Sequence, residues 1–307
     1  MTTIRRDRRA SRPLQSLAML AAIAVACAAS AAPLQLPPLQ TGVSGEHHVG
    51  KVIWVELITP ELATAESFYG GLFGWRFEDT HAGLSQYAVA AADGQRIGGL
   101  VQRPIKRGDQ KQSIWLTFLS VTNVDAASDA IQKSGGKVLA KPATYGGRGR
   151  QAVFRDPDGA VFGVLDSSSG DPGDYLAEDG EWIWSSVLAK NPDAAAKFYQ
   201  HVFGYDVFDL PSEDGLEHVV LSNEDYARAG VNALPADGRR RRSHWLNFVR
   251  VEDAVETARK AVSLGGRVLV EPHLDRHGGK VALLADPAGA PFGVLEWTAA
   301  DSKVEPK

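Results

Sequence analysis

Two matching places in the chain hold the residues best suited to chemistry. Trp54 and Glu56 lie two apart in the apolar run Val52 to Ile58, so strand alternation puts them on one face. A carboxylate beside an indole in a partly dry recess has a raised pKa and can act as a general base. The competing expectation is that Glu56 pairs with an arginine or faces solvent. At the second place Trp184 shares its face with Ser186, so the two places cannot carry out the same acid–base step. His244, Leu246 and Phe248 share one face of a later strand. This makes His244 a candidate for proton transfer or ligand contact, against the alternative of a hydrogen-bonded structural role. Trp54, Trp184, Phe118 and Phe248 together suggest an apolar or aromatic ligand held by stacking, with core packing the competing role for the two phenylalanines. His273 and His277 flank Asp275 in a loop, but Ala143 and Gly147 at the matching positions argue against a metal site there.

The elements that must position these residues form a repeat. Trp54 and Trp184, Phe68 and Phe198, Tyr69 and Tyr199, Gly74 and Gly204, Trp115 and Trp245, and Asp156 and Asp286 are all separated by 130 positions. A constant offset over that distance marks a duplicated domain. In the first copy a strand at Val52 to Ile58 meets Thr59-Pro60 as a helix start. Leu62, Ala65, Phe68, Tyr69 and Leu72 follow at helical spacing, and Gly74 ends the helix. Three short strands complete a βαβββ unit. A second unit runs from Ile114 through a helix stopped by Gly135-Gly136 to strands joined by the turn Asp156-Pro157-Asp158-Gly159. The fold class is therefore α+β, with two tandem domains, each a pair of βαβββ units of eight strands. Domain 1 is assigned to 51–167 and domain 2 to 181–298. Residues 33–50 and 168–180 read as linkers and 299–307 as a polar tail.

The first 32 residues differ in kind. Five arginines precede an uncharged, alanine-rich run from Leu14 to Cys27, the pattern of an export signal rather than a membrane span. Cys27, the single cysteine, follows Ala24-Val25-Ala26, which resembles a lipobox; the alternative is plain cleavage near Ala29 to Ala32. Either reading predicts an exported protein, periplasmic or held at a bacterial membrane by an N-terminal lipid, with no disulfide. Loss of residues 1–26 would take the net charge from -4 to about -8, a poor balance for binding nucleic acid. The sequence holds no phosphate-cradling glycine loop and no nucleophile elbow.

A strand, a helix ending in Phe68-Tyr69, Phe73-Gly74-Trp75, and later Asp156-Pro-x-Gly with Phe162-Gly163-Val164-Leu165, each repeated, resembles the vicinal oxygen chelate superfamily of glyoxalases, bleomycin-resistance proteins and extradiol dioxygenases. The resemblance implies that each domain curls into an incomplete barrel whose concave cup holds a ligand or a metal. It also implies His, Gln or Glu ligands on the first, fourth, fifth and eighth strands. The matching positions here are Trp54 or Trp184, Leu116 or Leu246, and Gly163 or Gly293; the fourth strands offer only Asn232. The expectation is no cofactor, and a divalent metal only through a non-standard site. Two functions follow: a protein that binds a small apolar or aromatic molecule in a cup without metal, or a lyase, isomerase or dioxygenase using Glu56 or His244. A monomer is expected, since four βαβββ units can cover one another within one chain.

Overall fold

In the computed structural model, the described residues are 35–82, 85–103, 113–210, 218–234, 242–275 and 279–297. The expected export signal, Cys27, His277 and the tail beyond residue 298 lie outside them. Domain 1 comprises β1 (Val52–Thr59), α1 (Leu62–Phe73), β2 (Arg76–Ala82), β3 (Ser85–Ala92), β4 (Gln95–Gln102), β5 (Ile114–Ser120), α2 (Val124–Lys133), β6 (Lys137–Tyr145), β7 (Gly149–Arg155) and β8 (Val161–Ser167). Domain 2 repeats the order with β9 (Trp182–Ala189), α3 (Pro192–Phe203), β10 (Asp206–Leu210), β11 (His218–Asn223), β12 (Tyr226–Ala233), β13 (His244–Val251), α4 (Ala254–Ser263), β14 (Arg267–Leu274), β15 (Lys280–Ala285) and β16 (Pro291–Glu296).

Each domain is one open sheet of eight strands, ordered β2-β3-β4-β1-β5-β8-β7-β6 and β10-β11-β12-β9-β13-β16-β15-β14. The two βαβββ units of a domain meet where β1 pairs antiparallel with β5, and β9 with β13. Helix ends follow local chemistry. Asn123, Asn191 and Asp253 each accept a backbone N–H at a helix start, and Gly74 and Gly204 take the left-handed conformation that lets the chain turn after α1 and α3. Thr59 does not cap α1, which begins two residues later than expected, behind Glu61; the Thr59 hydroxyl instead accepts the Glu61 N–H.

The helices cover the partner domain's sheet as well as their own. One core joins Phe68, Tyr69 and Trp115 of domain 1 to Ala258, Phe292 and Val294 of domain 2, and a second joins Phe154 and Phe162 to Phe198, Tyr199 and Trp245. The two cores are pinned in the same way. Trp115 donates to the Tyr69 hydroxyl, which reaches Asp286; Trp245 donates to the Tyr199 hydroxyl, which reaches Asp156. Burial pushes both carboxyls up, and the backbone donors of their own tight turns counter that shift. The repeated Phe-Tyr and Asp-Pro motifs therefore hold the two domains together. The stretch 35–50, composed like a tether, is packed on domain 1 through buried Leu36 and Leu39. Residues 168–180 are likewise tied down: Asp171 is buried and accepts from the Ser120 hydroxyl and the His48 N–H.

Candidate functional site

The faces of the sheets turned away from the helices form the two cups, and their walls have matching registers. In domain 1, Trp54 stands opposite Phe118, which neighbours Gly163 on β8; in domain 2, Trp184, Phe248 and Gly293 repeat the row. A Cβ at Gly163 would lie 2.3 Å from the Phe118 ring, and one at Gly293 would lie 2.1 Å from Phe248. The aromatic rings thus fill the space that an eighth-strand side chain would need. The fourth strands carry the same device. A Cβ at Gly99 would collide with the Tyr87 hydroxyl, and one at Gly230 would stand 2.7 Å from Ser186 Oγ. Indole, isobutyl and hydrogen at these places supply no donor for a divalent ion. Among the described residues, no group of three or more His, Cys, Asp or Glu side chains is placed to hold one.

The first cup is full. Leu36 and Leu39 pack with Trp54, Tyr87, Leu116 and Phe118. The strap that carries them is fixed by the Leu36 N–H donating to Gly146 O at 2.9 Å, by Arg148 Nε to Pro37 O at 2.7 Å, and by Arg96 Nη1 to Pro38 O at 3.1 Å. Arg148 is wholly buried. Its guanidinium lies 4.5 Å from the centre of the Trp54 ring, 3.7 Å from Glu56 and 3.0 Å from the Tyr87 hydroxyl, which in turn donates to Glu56 at 3.0 Å. Burial pushes the Tyr87 hydroxyl up, and burial together with the charge of Glu56 does the same to Tyr145. Glu56, 4% exposed, therefore sits in a buried ion pair.

The second cup is built differently. Ser186 stands in place of Glu56 and His218 takes the register position of Tyr87, while the sequence offset of 130 matches Arg148 to Gly278, which lies outside the described residues. The Trp184 indole donates to Ser186 Oγ at 3.0 Å. Leu246, Phe248 and Leu295 form a small buried floor, and Trp184, Leu188, Val281 and Leu283 stand around it partly exposed. His244 shares the face of Leu246 and Phe248 as alternation requires, half-buried at the start of β13, with Nδ1 3.0 Å from Arg242 O. Ile183 and Trp297 pack against the same floor. His273 is exposed near the end of β14, with its ring nitrogen on Glu271 O.

Sequence reasoning placed Trp54, Glu56, Phe118, Trp184, Ser186, Phe248 and His244 on the cup faces, where they are found. It missed Arg148, Tyr87 and the strap. The signal for Arg148 was present: Glu56 and Arg148 are replaced together, by Ser186 and Gly278, in the other copy.

Comparisons with known proteins agree with this architecture. The model of the glyoxalase/bleomycin resistance protein/dioxygenase superfamily matches residues 48–164, and that of a glyoxalase-like domain matches residues 185–295. CFP32 of Mycobacterium tuberculosis, a candidate glyoxylase by name, is 32% identical over 82% of this chain and 96% of its own. DnrV of Streptomyces peucetius, named an anthracycline biosynthesis protein, is 31% identical over 80% of this chain and 93% of its own. Among solved structures, the Mn(II)-bound glyoxalase from Novosphingobium aromaticivorans superposes with a TM-score of 0.57 at 16% identity, over 81% of this chain and 83% of that one. A variant of homoprotocatechuate 2,3-dioxygenase from B. fuscum gives 0.58 at 13% identity, over 85% and 74%. These two likenesses show the fold.

Proposed function

Because the chain belongs to the glyoxalase/bleomycin resistance protein/dioxygenase superfamily, we propose that it keeps that fold to bind a small apolar or aromatic molecule in its second cup, without a metal ion. The observation that carries this reading is the contrast between the cups. One is filled by Leu36, Leu39 and an ion pair, while the other presents a partly exposed wall of Trp184, Leu188 and Leu283 over a buried floor. An aromatic ring laid against Trp184 and Phe248 gains from burial and from stacking geometry together. The Ser186 hydroxyl, beside the indole, offers the polar contact that would orient it. The name of the Streptomyces relative concerns anthracyclines, which are flat polycyclic aromatics, the kind of molecule such a wall would take.

The same reading leaves Glu56 a structural residue, since its carboxylate is buried against Arg148. An enzyme of this fold using His244 is the alternative, supported by the position of that imidazole on the cup face. We further propose export and an N-terminal lipid at Cys27, supported by the arginine-rich start and the alanine-rich run before that cysteine. Mass measurement of the mature N-terminus distinguishes an acylated Cys27 from a chain cut near Ala29 to Ala32.

The test of the binding reading is calorimetric titration of chelator-washed protein with 2-naphthol, a neutral flat aromatic. Saturable binding without metal is expected, and Leu283→Arg, which puts a charge in the wall of the second cup, should weaken it at least tenfold. Binding that appears only after Zn, Mn, Ni or Fe(II) is restored, or turnover lost in His244→Ala, would replace this reading with the enzymatic one.

A further inference from the structure

A cavity of about 620 Å³ lies between the two domains and meets the cups at Trp54 and Trp184. Two of its walls are the starts of β1 and β9, residues 51–55 and 181–185, which correspond through the repeat. Residues 172–177 between the domains form another side. Its volume falls in the range of small-molecule sites. Four of the chain's seven tryptophans line it, namely Trp54, Trp182, Trp184 and Trp297. Tyr175 and Leu176 on the connecting segment and Tyr226 at the start of β12 also line it, and each is more than half exposed. Large apolar side chains left in water beside an aromatic-walled cavity are the arrangement expected of a site that closes on a flat ligand.

The polar groups decide what kind of ligand. Lys51, Arg96 and Arg228 line the cavity with two carboxylates, Asp174 and Glu181, and Arg228 and Arg96 also pair with Glu224 and Glu78. Asp174 takes Lys51 and Arg228 at 2.7 Å each. The Trp182 indole nitrogen and Arg228 Nε are both buried without a hydrogen-bond partner. Both are donors, and no buried side-chain acceptor on a described lining residue is left unsatisfied. Buried donors without partners are costly, and a ligand oxygen is what would relieve them.

We propose that this interdomain cavity is a second binding site, for a planar aromatic molecule carrying carbonyl, phenolate or carboxylate oxygens. It adjoins the second cup, since Ile183, Trp184 and Trp297 line the cavity and also pack against that cup's floor, but its charged side belongs to the cavity alone. Among the described residues that cup's apolar wall has no cationic side chain, so it would not repay the desolvation of a carboxylate. Aromatic walls alone would suit a cation equally well, so the unmatched donors are what select an acceptor.

The experiment is calorimetric titration of the full protein with 2-naphthoate and with N-methylquinolinium, two planar probes of similar size and opposite charge. Naphthoate should bind at least tenfold tighter. Ala227→Glu, an exposed cavity-lining position on β12, places a carboxylate beside Arg228 and should weaken naphthoate at least tenfold while leaving 2-naphthol in the second cup unchanged. Leu283→Arg should do the reverse. Should Ala227→Glu fail to fold by circular dichroism, the exposed pair Tyr175→Ser and Leu176→Ser provides the check, with an expected loss of three- to tenfold. Equal or tighter binding of the cation, no binding of naphthoate, or loss of naphthoate in Leu283→Arg with retention in Ala227→Glu would each overturn the proposal.

Discussion

The two cups come from one duplicated plan and are filled differently. They keep the same aromatic row, Trp54 with Phe118 and Trp184 with Phe248, and the same glycines beneath it. The first has a strap, a buried arginine and a carboxylate, and these fill it. The second has Ser186 where Glu56 stands, and its wall is partly exposed. In a duplicated fold, then, a shared scaffold says little about which copy binds. The answer lies in the few residues that break the repeat.

The largest expected effect tests whether the first cup is structural. Arg148→Met would leave Glu56 buried and unpaired and should cost about 3–5 kcal/mol in urea unfolding. Combining it with Glu56→Leu should recover most of that loss, because a well-packed apolar pair avoids the desolvation of both charges. In the second cup Ser186→Ala, which removes only the acceptor of the Trp184 indole, should cost about 1 kcal/mol. Equal losses in the two cups would break the comparison. Next comes the strap. Leu39, 1% exposed, should cost about 2–5 kcal/mol as Leu39→Ala. Leu283→Ala, at a partly buried position of the second cup, should cost less in the same assay, about 1–2 kcal/mol, since more of its surface stays in water than that of Leu39.

Smaller effects should be equal where the repeat is kept. Tyr69→Phe and Tyr199→Phe each strip the acceptor from a buried indole N–H and a donor from a buried aspartate, and should each cost about 1–2 kcal/mol. A clear inequality would show that the interdomain clamps are not equivalent. The smallest effect is again one-sided. Burial, then the charge and hydrogen bond of Asp79, push the Glu66 carboxyl up to about 7, above its ordinary 4.5. A folded-state pKa above the unfolded one gives a contribution fully present below about 4.5 and lost as pH rises through about 7. Asp79→Asn should flatten the fall in stability over that window. Domain 2 carries Ala196 and Asp209 at the corresponding places, so Asp209→Asn should change nothing there.

Most of the fold was legible in the chain because it rests on local patterns and on one constant offset. Strand alternation, the helical spacing of Leu62, Ala65, Phe68 and Tyr69, and the Asp-Pro-x-Gly turns each depend on near neighbours. The cup faces were legible for the same reason, since parity along a strand fixes which side chains look inward. What was not legible required knowledge of distant contacts. Residues 35–39 have the proline-rich composition of a tether, and only the tertiary structure brings Leu36 and Leu39 against Trp54 and Phe118. Arg148 follows the two glycines that end β6, outside any periodic pattern. Its pairing with Glu56 spans 92 positions of sequence and shows itself there only as a shared loss in the second copy. The conserved plan of Tyr69 with Asp286 and Tyr199 with Asp156 was visible as repeated residues, but the crossing of each pair between domains was not.

The most direct test of the central claim, that the second cup and not the first takes the ligand without metal, is fluorine NMR of chelator-washed protein labelled with 5-fluorotryptophan. Its seven resonances, assigned by single Trp→Phe variants, would be followed during titration with 2-naphthol. The account predicts that the Trp184 resonance moves to saturation, that Trp54 stays fixed under the Arg148 guanidinium, and that Leu283→Arg abolishes the movement. A shift at Trp54 with Trp184 unmoved, or a shift that appears only when a divalent metal is added, would contradict it.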